Sequence, residues 1–176
     1  MERPERKPNR LPGYDYASHG AYFVTICTAK KEPLFWEGAH PGDNNDRGGN
    51  HVGAAISRPQ ATLRLSPAGR LVEQAIQAIP AHYPAVSVDK YVIMPNHVHA
   101  IIRIDPTEGG GRMLSAPTLS TVVGQMKRWV SKQIGRPIWQ KSFYDHVIRN
   151  EKEYLDDWSY IHNNPGRWEE DVLFTQ

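Results

Sequence analysis

The run from Tyr91 to Ile104 constrains this chain more than any other stretch. Two short apolar strands, Tyr91–Met94 and Val98–Ile104, flank a Pro95-Asn96 turn signal. Side chains alternate along a strand, so His97 and His99 project from one face. Two imidazoles held two residues apart on a rigid strand can bind one divalent metal ion. A His-x-His pair also occurs on plain surface strands, so its meaning depends on a third ligand and a reacting group elsewhere in the chain.

At 176 residues the chain reads as one domain, 1–176, long enough to bury a full hydrophobic core. The strands and helices around the histidine pair give an order. Ala21–Thr28 is β-branched and aromatic and reads as a strand. Residues 37–60 are rich in Gly, Asn, Asp and Pro without periodicity and read as a mobile surface loop that carries His40 and His51. Ala61–Leu65 is a short strand candidate. Ser66-Pro67 then opens a helix, with Leu71, Val72, Ala75, Ile76 and Ile79 at helical spacing and Pro80 and Pro84 ending it. After the histidine strands comes Gly109-Gly110-Gly111, a flexible connection without the lysine of a phosphate-binding loop.

Leu119–Ile134 forms the next helix, with Val122, Val123, Met126, Trp129, Val130 and Gln133 on one side. Ile138–Ile148 is a fourth strand, and Asn150 to Glu153 is a capping-box start for a last helix reaching about Asn163. Strand, helix, strand, strand, helix, strand, helix is the order of an α+β, ferredoxin-like antiparallel sheet with helices on one face plus an added C-terminal helix.

Charge narrows the partners only locally, since the net charge is +2. Between residues 118 and 136 stand Lys127, Arg128, Lys132 and Arg136 with no acid among them, whereas the chain from Asn150 onward carries seven acids against Lys152 and Arg167. The pair of segments reads either as a polyanion surface beside a metal-attracting one or as two solvated helix faces. Residues 1–12 form a basic arm, with Arg10 at its end and Tyr14 just beyond as an aromatic that could stack on a base. A single cysteine, Cys27, suits a reducing cytoplasm. No apolar run approaches membrane-spanning length.

On the last helix, Tyr154, Leu155, Trp158 and Ile161 make an apolar stripe, and Tyr160 lies off it beside Glu153, Asp156 and Asp157. Asn164 follows one turn after Tyr160 on the same face. His162 reads as structural, and Tyr144 as either a strand residue or a rival to Tyr160. A phenol and an amide near a two-histidine site suggest a specific chemistry. The amide oxygen of Asn164 would be a third ligand, and Tyr160 would attack a phosphodiester polarised by the metal, leaving a phosphotyrosine.

Met94-Pro-Asn-His-Val-His99 with the later Tyr160-Ile-His-Asn-Asn-Pro165 resembles the single-tyrosine HUH-class transposases, and within them the REP-associated tyrosine transposases. The resemblance extends over most of the chain, through residues 10–16, 20–28, 139–140, 143–149 and 165–170. It implies a ferredoxin-like fold and a Mg²⁺- or Mn²⁺-dependent endonuclease that cuts and rejoins single-stranded DNA at hairpins formed by palindromic repeats. It further implies His97 and His99 as metal ligands and Tyr160 as the nucleophile, joined to a 5′-phosphate as a 3′-hydroxyl leaves. Asn164 stands where insertion-sequence relatives carry glutamine. A cytoplasmic monomer or homodimer that needs no nucleotide cofactor would follow, and Arg10, Tyr14, Lys127, Arg128, Lys132 and Arg136 are the candidate DNA contacts. Two other functions use parts of the same residue set: a metal-dependent hydrolase of a small substrate, and a repeat-DNA-binding protein without chemistry.

Overall fold

The computed structural model describes residues 19–37, 64–105, 117–170 and 173. Arg10, Tyr14, the basic arm, nearly all of the loop 37–60 with its two histidines, and the triple-glycine connection lie outside the described residues. Four strands, β1 (Gly20–Cys27), β2 (Val86–Ile93), β3 (His97–Ile104) and β4 (Tyr144–Ile148), form one sheet in the order β2-β3-β1-β4. Every described pairing is antiparallel. The helices are α1 (Pro67–Gln77), α2 (Ile79–His82), α3 (Leu119–Ile134) and α4 (Glu151–Asn163). This is the expected α+β order, with the short α2 interposed.

The two central strands are buried on both faces, which explains why they read as nearly continuous apolar runs rather than alternating ones. On one face Tyr22, Val24 and Ile26 of β1 and Val98, Ala100 and Ile102 of β3 meet α1 and α3 in the main core. On the other, Phe23 and Ile101 meet Ile161 of α4 in a much smaller cluster. Burial of the larger core, at roughly 25 cal/mol per Å² of apolar surface, is the principal stabilising contribution.

Local sequence explains where the helices begin. Ser66 Oγ accepts from the Gly69 amide at 3.1 Å and opens α1, and Thr118 caps α3 in the same way. At Gly69 a side chain would collide with the Phe35 carbonyl, to which the Ser66 amide is also bonded. Asn150 Oδ1 accepts from the Glu153 amide at 2.9 Å and caps α4 as expected. The Glu153 carboxylate reaches back to Asn150 Nδ2 and to the Arg149 backbone amide at 2.9 Å, one residue before the N-cap amide that the standard capping box uses.

Several expectations are corrected. Pro80 does not end a helix but sits in the first turn of α2, where its missing N–H costs nothing. The strand expected over Ile138–Ile148 shortens to Tyr144–Ile148, because the Gln140 and Ser142 carbonyls accept from Lys127 Nζ at 2.6 and 3.1 Å instead of from a neighbouring strand. Trp129 is 41% exposed rather than core, and Gln133 is also exposed. Leu155 is 55% exposed and leaves the stripe of α4. At about 100° per residue it lies roughly 90° from the centre of Tyr154, Trp158 and Ile161, farther than Asp157 does. His162 is exposed and stacks on Trp158, 5.3 Å between ring centres. Among the described residues, no helix is long and apolar enough to cross a membrane.

Candidate active site

β3 leaves the Pro95-Asn96 turn with His97 and His99 on the face covered by α4, both almost fully buried. Their Nε2 atoms stand 3.0 Å apart. Asn96 determines the state of the first ring. Its amide nitrogen gives both protons away, to the Lys31 carbonyl at 3.2 Å and the Leu173 carbonyl at 2.8 Å. Its oxygen therefore accepts from His97 Nδ1 at 2.8 Å, which puts the ring proton on Nδ1 and leaves a lone pair on Nε2. Burial, then the neighbouring His99 and Lys31, lowers the His97 pKa to about 2, so the imidazole stays neutral.

His99 is held less rigidly. Its Nδ1 lies 2.9 Å from Thr25 Oγ1, its register partner on β1. A hydroxyl can donate or accept, so Thr25 accommodates either tautomer of His99. With the His97 Nε2 lone pair facing it, a bond between the rings requires the proton on His99 Nε2, and Thr25 then donates to His99 Nδ1. Turning the His99 proton to Nδ1 reverses the threonine bond, gives up the bond to His97 and exposes a second lone pair.

The pair fits a divalent ion. At a metal–nitrogen distance of about 2.1 Å, adjacent positions of an octahedron are about 3.0 Å apart and tetrahedral ones about 3.4 Å. The observed 3.0 Å, also the length of a hydrogen bond between the rings, is close to these spacings. Among the described residues no group of three or more His, Cys, Asp or Glu is placed to hold a metal ion. Asn164, 5% exposed, is a buried amide at the end of α4 and opens the 3₁₀ turn (Asn164–Glu170) that brings Trp168 to 5.9 Å from the His97 ring.

Tyr160 lies beside the pair. Its hydroxyl is 3.5 Å from His99 Nε2, its ring meets His99 at 5.2 Å between centres, and it is 45% exposed. Phe23 forms the floor between them, 5.3 Å from His99 and 6.0 Å from Tyr160. Beyond Phe23, His146 of β4 stacks on that ring at 5.2 Å and bonds Asp157 of α4 at 3.0 Å. Burial raises the Asp157 pKa despite that histidine. The other tyrosine of α4 is engaged elsewhere: Tyr154 donates to Asp89 at 3.2 Å, and burial, then the Asp89 charge, pushes its pKa up. Tyr144 is 54% exposed on the edge strand.

The structure thus brings His97, His99 and Tyr160 together, with Asn164 on the same side of the sheet. It does not bring the basic helix there. α3 packs on the opposite face, where Lys127 holds the 140–142 carbonyls and Arg136 pairs with Glu32 at 3.1 Å, while Arg128 and Lys132 are exposed. Sequence reasoning missed Asn96, Thr25 and the His146–Asp157 pair. An asparagine after proline is an ordinary turn residue, and only the angle of Asp157 on α4, about 60° from the stripe, pointed toward the sheet.

Comparison with known proteins bears on the fold. A solved structure of a REP-associated tyrosine transposase bound to a REP hairpin superposes with a TM-score of 0.53 over 95% of this chain and 74% of that one, at 20% identity. The fold is therefore that of the REP-associated transposases. In sequence, a REP-associated tyrosine transposase of Escherichia coli is 24% identical over 120 residues, 68% of this chain and 67% of that protein. An uncharacterized protein of Haemophilus influenzae is 33% identical over 187 aligned positions, 96% of this chain and 93% of its own length. The chain belongs to one family with this Haemophilus protein. No family model matches the chain.

Proposed function

We propose that this protein is a transposase-like enzyme that nicks and rejoins single-stranded DNA at hairpin-forming palindromic repeats through a 5′-phosphotyrosine. One observation carries the reading: the hydroxyl of a half-exposed tyrosine lies 3.5 Å from Nε2 of His99 in a buried two-histidine pair. A tyrosine used only for packing would turn its ring into the apolar stripe of α4, where Tyr154 and Trp158 already lie. The relatives named as transposases support the same chemistry, and the solved relative's hairpin supports the substrate class.

His97, His99 and Asn164 would hold Mg²⁺ or Mn²⁺, which supplies Lewis-acid polarisation of the phosphodiester. Asn96 keeps the His97 lone pair directed inward, and Thr25 lets His99 present its own. Tyr160 Oη forms a bond to phosphorus as the P–O3′ bond breaks. The proton lost by the phenol balances the one gained by the departing 3′-oxygen, so no co-reactant is consumed. Attack by a 3′-hydroxyl on the phosphotyrosine reverses the step and rejoins the strand, because the linkage conserves the bond energy. Phe23 packs beneath the tyrosine and Trp168 lies beside His97.

The test is a covalent adduct on a denaturing gel after incubation with hairpin-bearing single-stranded DNA and Mn²⁺. The adduct is expected with wild type, and is expected to disappear with a chelator and in Tyr160→Phe. Cleavage of duplex DNA or of a small phosphodiester with no covalent species would replace this reading with that of a hydrolase.

A further inference from the structure

The groove that holds Tyr160, His99, His146 and Asp157 does not stop at the active centre. It shares Thr25, Cys27 and Tyr144 with a second cleft, which continues past the end of β1 and β4 to Lys30, Gln140 and Lys141. Tyr144 and His99 both pair with Thr25 across the sheet, so the two stand two strand spacings apart, about 10 Å. Tyr144 is among the most exposed large apolar side chains described and meets His146 edge-on at 6.3 Å.

The far end of the cleft is basic. Lys30 and Lys141 are exposed, and Lys127 Nζ lies behind the wall, tied to the Gln140 and Ser142 carbonyls. Lys30 and Lys31 both adopt positive φ, 56° and 57°, which is uncommon for residues other than glycine. That turn is held by Thr28, whose hydroxyl donates to the Glu32 carbonyl at 2.8 Å, and by Asn96, which also orients His97. A conformation maintained against its own preference, and wired to the active centre, marks a turn whose placement matters.

We infer that this second cleft is a binding site for the single-stranded DNA flanking the reacting phosphate, with Tyr144 stacking on a base and Lys30 and Lys141 contacting phosphates. An exposed aromatic in a groove that ends in cations is the arrangement that binds single strands without reading sequence. It also gives Tyr144 a task other than nucleophile and relieves the basic helix on the opposite face of sole responsibility for the backbone. The site rests on the strand-cleaving reading of Tyr160, yet its ligand can be tested without any cleavage.

The probe is a fluorescein-labelled ten-nucleotide oligothymidylate, titrated by anisotropy in the presence of a chelator, so that neither metal nor hairpin nor covalent chemistry enters. Tyr144→Ala is expected to weaken binding about five- to 150-fold, the range of one lost base–aromatic stack. Tyr144→Phe, which keeps the ring, is expected to bind within two-fold of wild type. Replacing both Lys30 and Lys141 with glutamine is expected to lower the slope of log affinity against log salt by about 1.4. All three side chains are exposed, and unchanged melting curves would show that the variants fold. Wild-type affinity in Tyr144→Ala, an unchanged salt slope in the double variant, or no binding by wild type would each overturn the site. An absent covalent adduct alongside these binding changes would overturn the proposed chemistry and leave the cleft standing.

Discussion

Ile101 and Ile102 are neighbours on β3, both essentially fully buried, yet they belong to different parts of the molecule. Ile102 enters the large apolar core beneath α1 and α3, whereas Ile101 lies in the small cluster beneath α4 with Phe23 and Ile161, edged by partly buried Ala21, Val92, Ile148, Tyr154 and Trp158. The first face is built for cohesion. The second carries buried His97, His99 and Thr25, and its helix is held as much by polar links as by packing: Tyr154 to Asp89, His146 to Asp157, and Lys90 over Trp158 at 4.2 Å. One face therefore supplies most of the stability, and the other positions groups that a well-packed core would exclude.

Substituting the two isoleucines tests this division with the largest effect. Ile102→Ala should cost about 2–5 kcal/mol and lower Tm by roughly 5–15 °C, with adduct formation per folded molecule retained. Ile101→Ala should slow adduct formation even in the folded fraction and speed amide exchange in α4 while the β3 amides stay protected. Equal exchange throughout the chain in Ile101→Ala would remove the distinction between the faces.

Asn96→Ala is expected to weaken Mn²⁺ binding by about 10–100-fold, measured by calorimetry, because the His97 ring loses the acceptor that orients it. A smaller change is expected at the edge of the same face. Asp157 has a raised pKa, with burial as the largest cause. The folded chain therefore holds that proton more tightly than the unfolded chain, and this contribution to stability is present at low pH and lost as pH rises through the carboxylate range into the folded value. Asp157→Asn should flatten that segment of the Tm–pH curve and change Tm at neutral pH by only a degree or two. A steeper curve in the variant would contradict the sign.

How much of this was legible in sequence differs between the faces in the same way. The caps at Ser66, Thr118 and Asn150, the strand placing His97 beside His99, and the off-stripe angle of Tyr160 are local, and local spacing carried them. The exposure of Leu155 and Trp129 was not legible, since a helical stripe gives an angle but not how far the neighbouring element reaches over it. The second sphere of the site was also hidden. Asn96 gains its role from carbonyls at Lys31 and Leu173, and Thr25 from a register 74 residues away, which only tertiary contacts establish.

The central claim is that Tyr160, rather than Tyr144 or Tyr154, forms the covalent bond to DNA. Protease digestion of the trapped adduct, with nuclease trimming and peptide mass spectrometry, tests it most directly. A nucleotide mass on the peptide carrying Tyr160, and on no other tyrosine, is the expected result. The same mass on Tyr144 would turn the stacking residue into the nucleophile and contradict the account.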